Sequence, residues 1–134
     1  MKLFFAGSIR GGRSMLPVYI QIIGILKKSG HSVVSEHVAS IDLEKIESKL
    51  TDEEIFNNDI GYIDECECIV ADVTIPSVGV GYEICHAASK GKRVLCIYMD
   101  DSKVSAMVKG NKRIISVPYK NIEDVENIFA THLR

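Results

Sequence analysis

With 134 residues, 46% of them hydrophobic and 25% charged, the chain suits one soluble domain with a core of its own. A formal net charge of −2 speaks against broad binding to nucleic-acid polymers, which needs a basic surface. No apolar run reaches the length of a membrane span and no charged-then-apolar leader precedes the first strand, so a cytoplasmic protein without a membrane partner is expected.

The first predicted element is a strand over Leu3–Ala6, followed by Gly7, Ser8, Ile9, Arg10, Gly11, Gly12 and Arg13. Glycines, a serine and two arginines after the first strand of an α/β chain suggest a cradle for phosphate or sugar. The spacing is neither that of a dinucleotide fingerprint nor that of a nucleoside-triphosphate loop. A helix over Met15–Ser29 stops at Gly30. Its apolar side chains cover roughly 220° of the helical wheel at about 100° per residue, where one face of a sheet needs little more than about 100°. The excess suggests a second buried contact, most simply with another subunit.

Ser32–Ser35 reads as a second strand, with Glu36 and His37 at its carboxyl end, the ligand side of such sheets. The stretch from Ser40 to Leu50 fits a short helix or a loop. A clearer helix spans Thr51–Glu65, opened by a capping box in which Thr51 is the cap and Glu54 reaches back. Asp59 projects from the middle of its apolar face, among Ile55, Phe56, Tyr62 and Ile63. A carboxylate so placed is costly unless paired or employed, and desolvation would favour its protonated form.

The central stretch runs from Cys68 to Gly91. A short apolar strand (Ile69, Val70, Ala71) breaks at Thr74–Ser77, passes Gly79 and Gly81, and restarts as a helix with Glu83 expected in its first turn. The positive end of that helix favours an anion, so a carboxylate there is expected to stay ionised. A strand over Arg93–Tyr98, a loop with a helical turn over Asp100–Gly110, a strand over Ile114–Val117 and a closing helix over Asn121–Leu133 complete the chain. The alternation predicts an α/β fold, a five-stranded parallel sheet in a single domain over 1–134. The four cysteines, Cys66, Cys68, Cys85 and Cys96, lack metal-type spacing and read as packing residues; no metal site is expected.

Two carboxylates in contrasting settings, Glu83 at a helix start and Asp59 on an apolar face, fit glycosyl transfer. One group attacks or stabilises the anomeric carbon while the other handles protons. The chain also resembles the nucleoside 2-deoxyribosyltransferase superfamily, and most closely its 2′-deoxynucleoside 5′-phosphate N-hydrolases. The resemblance covers nearly the whole chain and is carried by GSIRGGR at Gly7–Arg13, SEHV at Ser35–Val38, the helix containing Asp59, DVTIPSVGVGYE at Asp72–Glu83 and SAMVKG at Ser105–Gly110.

The resemblance implies a flavodoxin-like fold with helices on both faces of the sheet, a homodimer, no cofactor, and hydrolysis of the N-glycosidic bond of deoxynucleoside monophosphates. It implies Glu83 as a nucleophile forming a deoxyribosyl-enzyme intermediate and Asp59 as its acid/base partner. Ser8, Arg10, Gly12, Ser77 and Gly79 are implied to line the sugar and phosphate, with His37 near the base. Ser105, with Ala106 and Met107 beside it, is implied to reach the phosphate from the neighbouring subunit. Ser77 favours the phosphorylated branch. The nucleoside transferases place an aspartate there, which would repel a phosphate dianion, whereas serine can donate a hydrogen bond to it.

Phe4 stands where the family has a tyrosine near the nucleophile, which points to Tyr82 or Tyr19 as a substitute hydroxyl and leaves open a nucleotide-binding module without turnover. A base-exchanging transferase is a further alternative, and a flavodoxin-type electron carrier lacks the aromatic loops that sandwich a flavin.

Overall fold

The computed structural model describes residues 1–9, 14–40 and 42–134. Its strands are β1 Lys2–Ala6, β2 Ser32–Val33, β3 Cys68–Asp72, β4 Arg93–Met99 and β5 Ile115–Tyr119. The helices are α1 Leu16–Lys28, α2 Leu43–Glu47, α3 Asp52–Glu65, α4 Val78–Ser89, α5 Ala106–Lys109 and α6 Ile122–His132, with one 3-10 turn over Glu36–Ala39. The strands form a five-stranded, all-parallel sheet in the order β2-β1-β3-β4-β5.

Side chains alternate across the sheet with a period of two, and both faces are buried. Leu3, Phe5, Val70, Leu95 and Ile97 face one way and pack under α1 and α6 with Tyr19, Ile22, Leu26, Val125 and Phe129. Phe4, Ala6, Ile69, Ala71, Val94 and Cys96 face the other way and meet Ile63 of α3 and Val80, Ile84 and Ala87 of α4. Cys66, Cys68 and Cys96 are buried, as expected of small hydrophobes, whereas Cys85 is exposed. No cluster of metal-binding side chains occurs among the described residues.

The termini of the elements follow their local chemistry. Gly30 takes φ +92° after α1, the left-handed geometry that glycine adopts without steric cost. At the start of α3 the capping box forms in full, with Glu54 N–H donating to Thr51 Oγ1 at 3.1 Å and Thr51 N–H donating to Glu54 Oε1 at 3.0 Å. The second strand is two residues long, not four. Ser35 Oγ accepts from Phe5 N–H at 2.6 Å and donates to Phe5 O at 2.8 Å, so a side chain takes over the ladder there.

The wide apolar arc of α1 is largely used up inside the chain. The helix touches the sheet, α6 and the 3-10 turn together, and Ile20 is its exposed large hydrophobic residue, at 48%.

Candidate active site

The chain leaves β1 to β2 on one side and returns to β3 on the other. This topological switch point between neighbouring β1 and β3 is where open α/β sheets bind ligands. A cavity of about 550 Å³ lies there, walled by Gly7 and Ile9 after β1, Pro76–Val80 with Tyr82 and Glu83 after β3, Asp52, Ile55, Phe56, Asp59 and Ile60 from α3, and Glu47 from α2. Gly7 admits no side chain, because a Cβ there would lie 2.7 Å from the Tyr19 ring beneath it.

Glu83 and Asp59 both face this space, from α4 and α3 respectively. Their electrostatics correct the expectation for Glu83. Ser77 is the N-cap of α4, so Glu83 sits in the second turn, beyond the reach of the terminal dipole. Burial, with the nearby charges of Asp59 and then Glu47, pushes the Glu83 carboxyl up to about 8. The side chain expected to stay ionised therefore holds a proton at neutral pH. Asp59 belongs to a cavity wall, which explains a carboxylate on an apolar face: Ile55 and Ile60 beside it line the cavity too. His37 Nε2 lies 3.6 Å from Asp59 Oδ1, and its ring is 5.6 Å from that of Tyr62.

At the other end of the cavity, Ser77 Oγ accepts from Val80 N–H at 3.2 Å. The first turn of α4 then presents its backbone N–H groups beside Gly79, a setting that suits an anion. The serine hydrogen remains available to a ligand acceptor.

Several expected site residues stand elsewhere. Ser8 is fully buried; its N–H donates to Tyr19 Oη at 3.1 Å, and it is not among the residues of the cavity wall. Ser105, Ala106 and Met107 line a neighbouring groove of about 700 Å³ between α4 and α5, which among the described residues shares Pro76, Ser77, Val78 and Val80 with the first cavity. Arg10, Gly11, Gly12 and Arg13 lie outside the described residues. Of the two hydroxyls weighed against the missing one at Phe4, Tyr82 reaches the cavity, whereas Tyr19 is buried in the α1–α6 core with its ring 5.4 Å from Phe5.

Glu47, Asp52, Phe56 and Tyr82 are among the wall residues, with Ile55, Ile60, Pro76, Val78 and Val80, that the sequence did not mark as ligand contacts. Glu47 ends a five-residue helix whose polar surroundings carry no motif. Phe56 and Tyr82 stack edge-to-face with ring centroids 5.9 Å apart, both about half exposed (48% and 56%), a pairing across two helices that periodicity alone cannot show.

The sequence profile of the nucleoside 2-deoxyribosyltransferase family matches residues 3–117. A protein of Methanococcoides burtonii named as a 2′-deoxynucleoside 5′-phosphate N-hydrolase is 50% identical over 111 residues, 83% of this chain and 91% of its own. A Danio rerio protein named 5-hydroxymethyl-dUMP N-hydrolase is 39% identical over 137 residues, 98% of this chain and 95% of its own. Among solved structures, a CMP N-glycosidase of Clostridium botulinum superposes with TM-score 0.71 at 14% identity, covering 98% of this chain and 99% of that one. A 2-deoxyribosyltransferase of Bacillus psychrosaccharolyticus does so with TM-score 0.70 at 19% identity, covering 98% and 95%. At these identities the structural likeness speaks for the fold.

Proposed function

The chain belongs to the nucleoside 2-deoxyribosyltransferase family, and from that premise we propose that it hydrolyses the N-glycosidic bond of 2′-deoxynucleoside 5′-phosphates, releasing free base and 2-deoxyribose 5-phosphate. The relatives named as N-hydrolases, 50% and 39% identical, support this reaction over base exchange. The observation that carries the reading is a single cavity that sets Glu83 and Asp59, two of the four carboxyl residues lining it among the described residues, beside the N-terminus of α4.

In this reading the 5′-phosphate lies against Ser77, Gly79 and the first turn of α4, which leaves the anomeric carbon facing Glu83. Gly7 and Ile9, after β1, border the same phosphate and sugar subsite. The proton held by Glu83 passes to Asp59 as substrate enters, and the carboxylate attacks C1′. The C1′–N bond breaks as Asp59 passes that proton to the departing base. Water then attacks C1′ of the glycosyl ester, Asp59 takes the water's proton, and Glu83 is released as a carboxylate. His37, against Asp59, orients that group and borders the base.

A homodimer belongs to the proposal, with its surface moved from α1 to the neighbourhood of α4 and α5. Val78 (94% exposed) and Met107 (84%) are large apolar side chains turned to solvent on either side of the second groove. A second copy seated there would bring its Ser105 toward the phosphate. We place the protein in the cytoplasm, in keeping with a nucleotide substrate.

The decisive experiment is incubation with deoxynucleoside and ribonucleoside monophosphates, including the 5-hydroxymethyl-dUMP suggested by the relative's name, with free base followed by chromatography. Release from deoxynucleotides, abolished in Glu83→Gln, supports the proposal. Incorporation of an added free base outpacing hydrolysis would make the chain a transferase instead.

A further inference from the structure

Asp72, the last residue of β3, is fully buried, and the chemistry above does not use it. Its carboxylate is held by Tyr119 and by both the backbone and the side chain of Thr74. The Tyr119 hydroxyl, at the end of β5, donates to Oδ2 at 2.6 Å, and the Thr74 N–H donates to Oδ1 at 2.9 Å. Thr74 is fastened a second time, its Oγ1 accepting from Met99 N–H at 3.0 Å at the end of β4. Val73 N–H donates to Ile97 O at 2.9 Å. The exit from β3 is thus tied, over Asp72–Thr74, to the adjacent β4 and, across it, to the end of β5.

What these ties hold is short. Only Ile75 and Pro76 separate Thr74 from Ser77, the cap of α4. Proline fixes its own φ and narrows the residue before it, so a displacement at Thr74 has little slack in which to dissipate before Ser77. Beyond Ser77, α4 is anchored independently by Val80, Ile84 and Ala87 in the core, which isolates Glu83 from the loop. A buried carboxylate and phenol are a costly way to fill space that apolar groups would fill at no polar cost.

We infer that the Asp72–Tyr119 hydrogen bond is a positioning device for the β3–α4 loop, setting Ser77 and the first turn of α4 against the 5′-phosphate of the substrate. The inference rests on the hydrolase reading. Asp72 and Tyr119 are positioning residues that touch the loop and not the ligand, and their action falls on phosphate binding more than on the bond-breaking step.

The test is steady-state kinetics of the full chain with a deoxynucleoside monophosphate and the matching nucleoside. Tyr119→Phe removes one oxygen and leaves Asp72 Oδ2 without the Tyr119 donor, so KM for the monophosphate should rise about tenfold while kcat changes less than about twofold. KM for the nucleoside should not move. In a Ser77→Ala background the same substitution should have less than about half its effect on KM, because both act through one contact. Thr74→Val, which cuts the tie to Met99, should give the same pattern and replaces Tyr119→Phe should that variant not fold. A fall in kcat at unchanged KM, full additivity with Ser77→Ala, or lost thermal stability with unaltered kinetics overturns the inference. A wild-type chain that releases no base from any monophosphate removes the functional reading and this inference with it, whereas an active wild type with an unaffected Tyr119→Phe removes the inference alone.

Discussion

The two faces of the sheet are finished differently. Under α1 and α6 the side chains close on one another: Phe5, Tyr19, Ile22 and Leu26 are sealed from solvent, and the Tyr19 hydroxyl meets the Ser8 N–H. Under α3 and α4 the inner layer is as tight, but the upper halves of the helices part around a cavity and leave Phe56, Val78 and Tyr82 facing outward. The first face spends its residues on stability. The second withholds some of that packing and puts carboxylates where apolar contacts could have been, which is the arrangement a reaction needs.

The sharpest way to break this contrast is Glu83→Gln. If the side chain is the nucleophile, kcat/KM falls on the order of 10⁴-fold in a base-release assay. Stability should move the other way, and the sign follows from proton linkage. The Glu83 pKa is raised by folding from 4.5 to about 8, so between those values the folded chain binds more protons than the unfolded one and stability falls as pH rises. The full contribution is present below pH 4.5 and is gone above about 8. Thermal melts should therefore show Glu83→Gln gaining on the wild type with rising pH across that window. A difference that does not vary with pH would put the carboxyl in a solvated setting.

Phenylalanine-to-alanine substitutions on the two faces come next. Phe5→Ala on the closed face should cost about 3–5 kcal/mol of unfolding free energy by denaturant titration. Phe56→Ala at the cavity mouth, half exposed, should cost less than about 1 kcal/mol and should instead raise KM. Equal losses of stability would mean that the two faces are not built to different ends.

The smallest expected effect is a shift in pH. If the proton that Glu83 holds is the one Asp59 hands to the base, kcat/KM should fall as pH rises through about 8, where the free enzyme loses it. Glu47→Gln removes a negative neighbour from Glu83, so that fall should come at lower pH. An unmoved basic limb would separate Glu47 from Glu83 electrostatically.

The closed face and the sheet were legible in the sequence because their signals are local and repetitive. The short apolar runs of β1 and β3, Gly30 after α1 and the Thr51–Glu54 box each act over a few positions, and each does in the structure what its chemistry requires. Legibility failed where a distant partner decides. β2 stops early because Ser35 reaches Phe5, a bond between residues 30 apart. The state of Glu83 was read from the helix end, but Asp59 and Glu47, brought alongside by α3 and α2, help burial to set it. Glu83, Asp59, Ser77 and Gly79, marked by motif resemblance, line one cavity, and Ser105, implied for the neighbouring subunit's site, lies in an adjacent groove of its own chain.

Ser77 secures α4 with its oxygen alone, by taking the Val80 N–H. Aspartate and asparagine secure a helix start about as well as serine does. The position is thus free to trade a hydroxyl for a negative charge without loosening the helix behind it. A descendant of this chain could pass from charged to uncharged substrates by one replacement, with no stability threshold standing between the two diets.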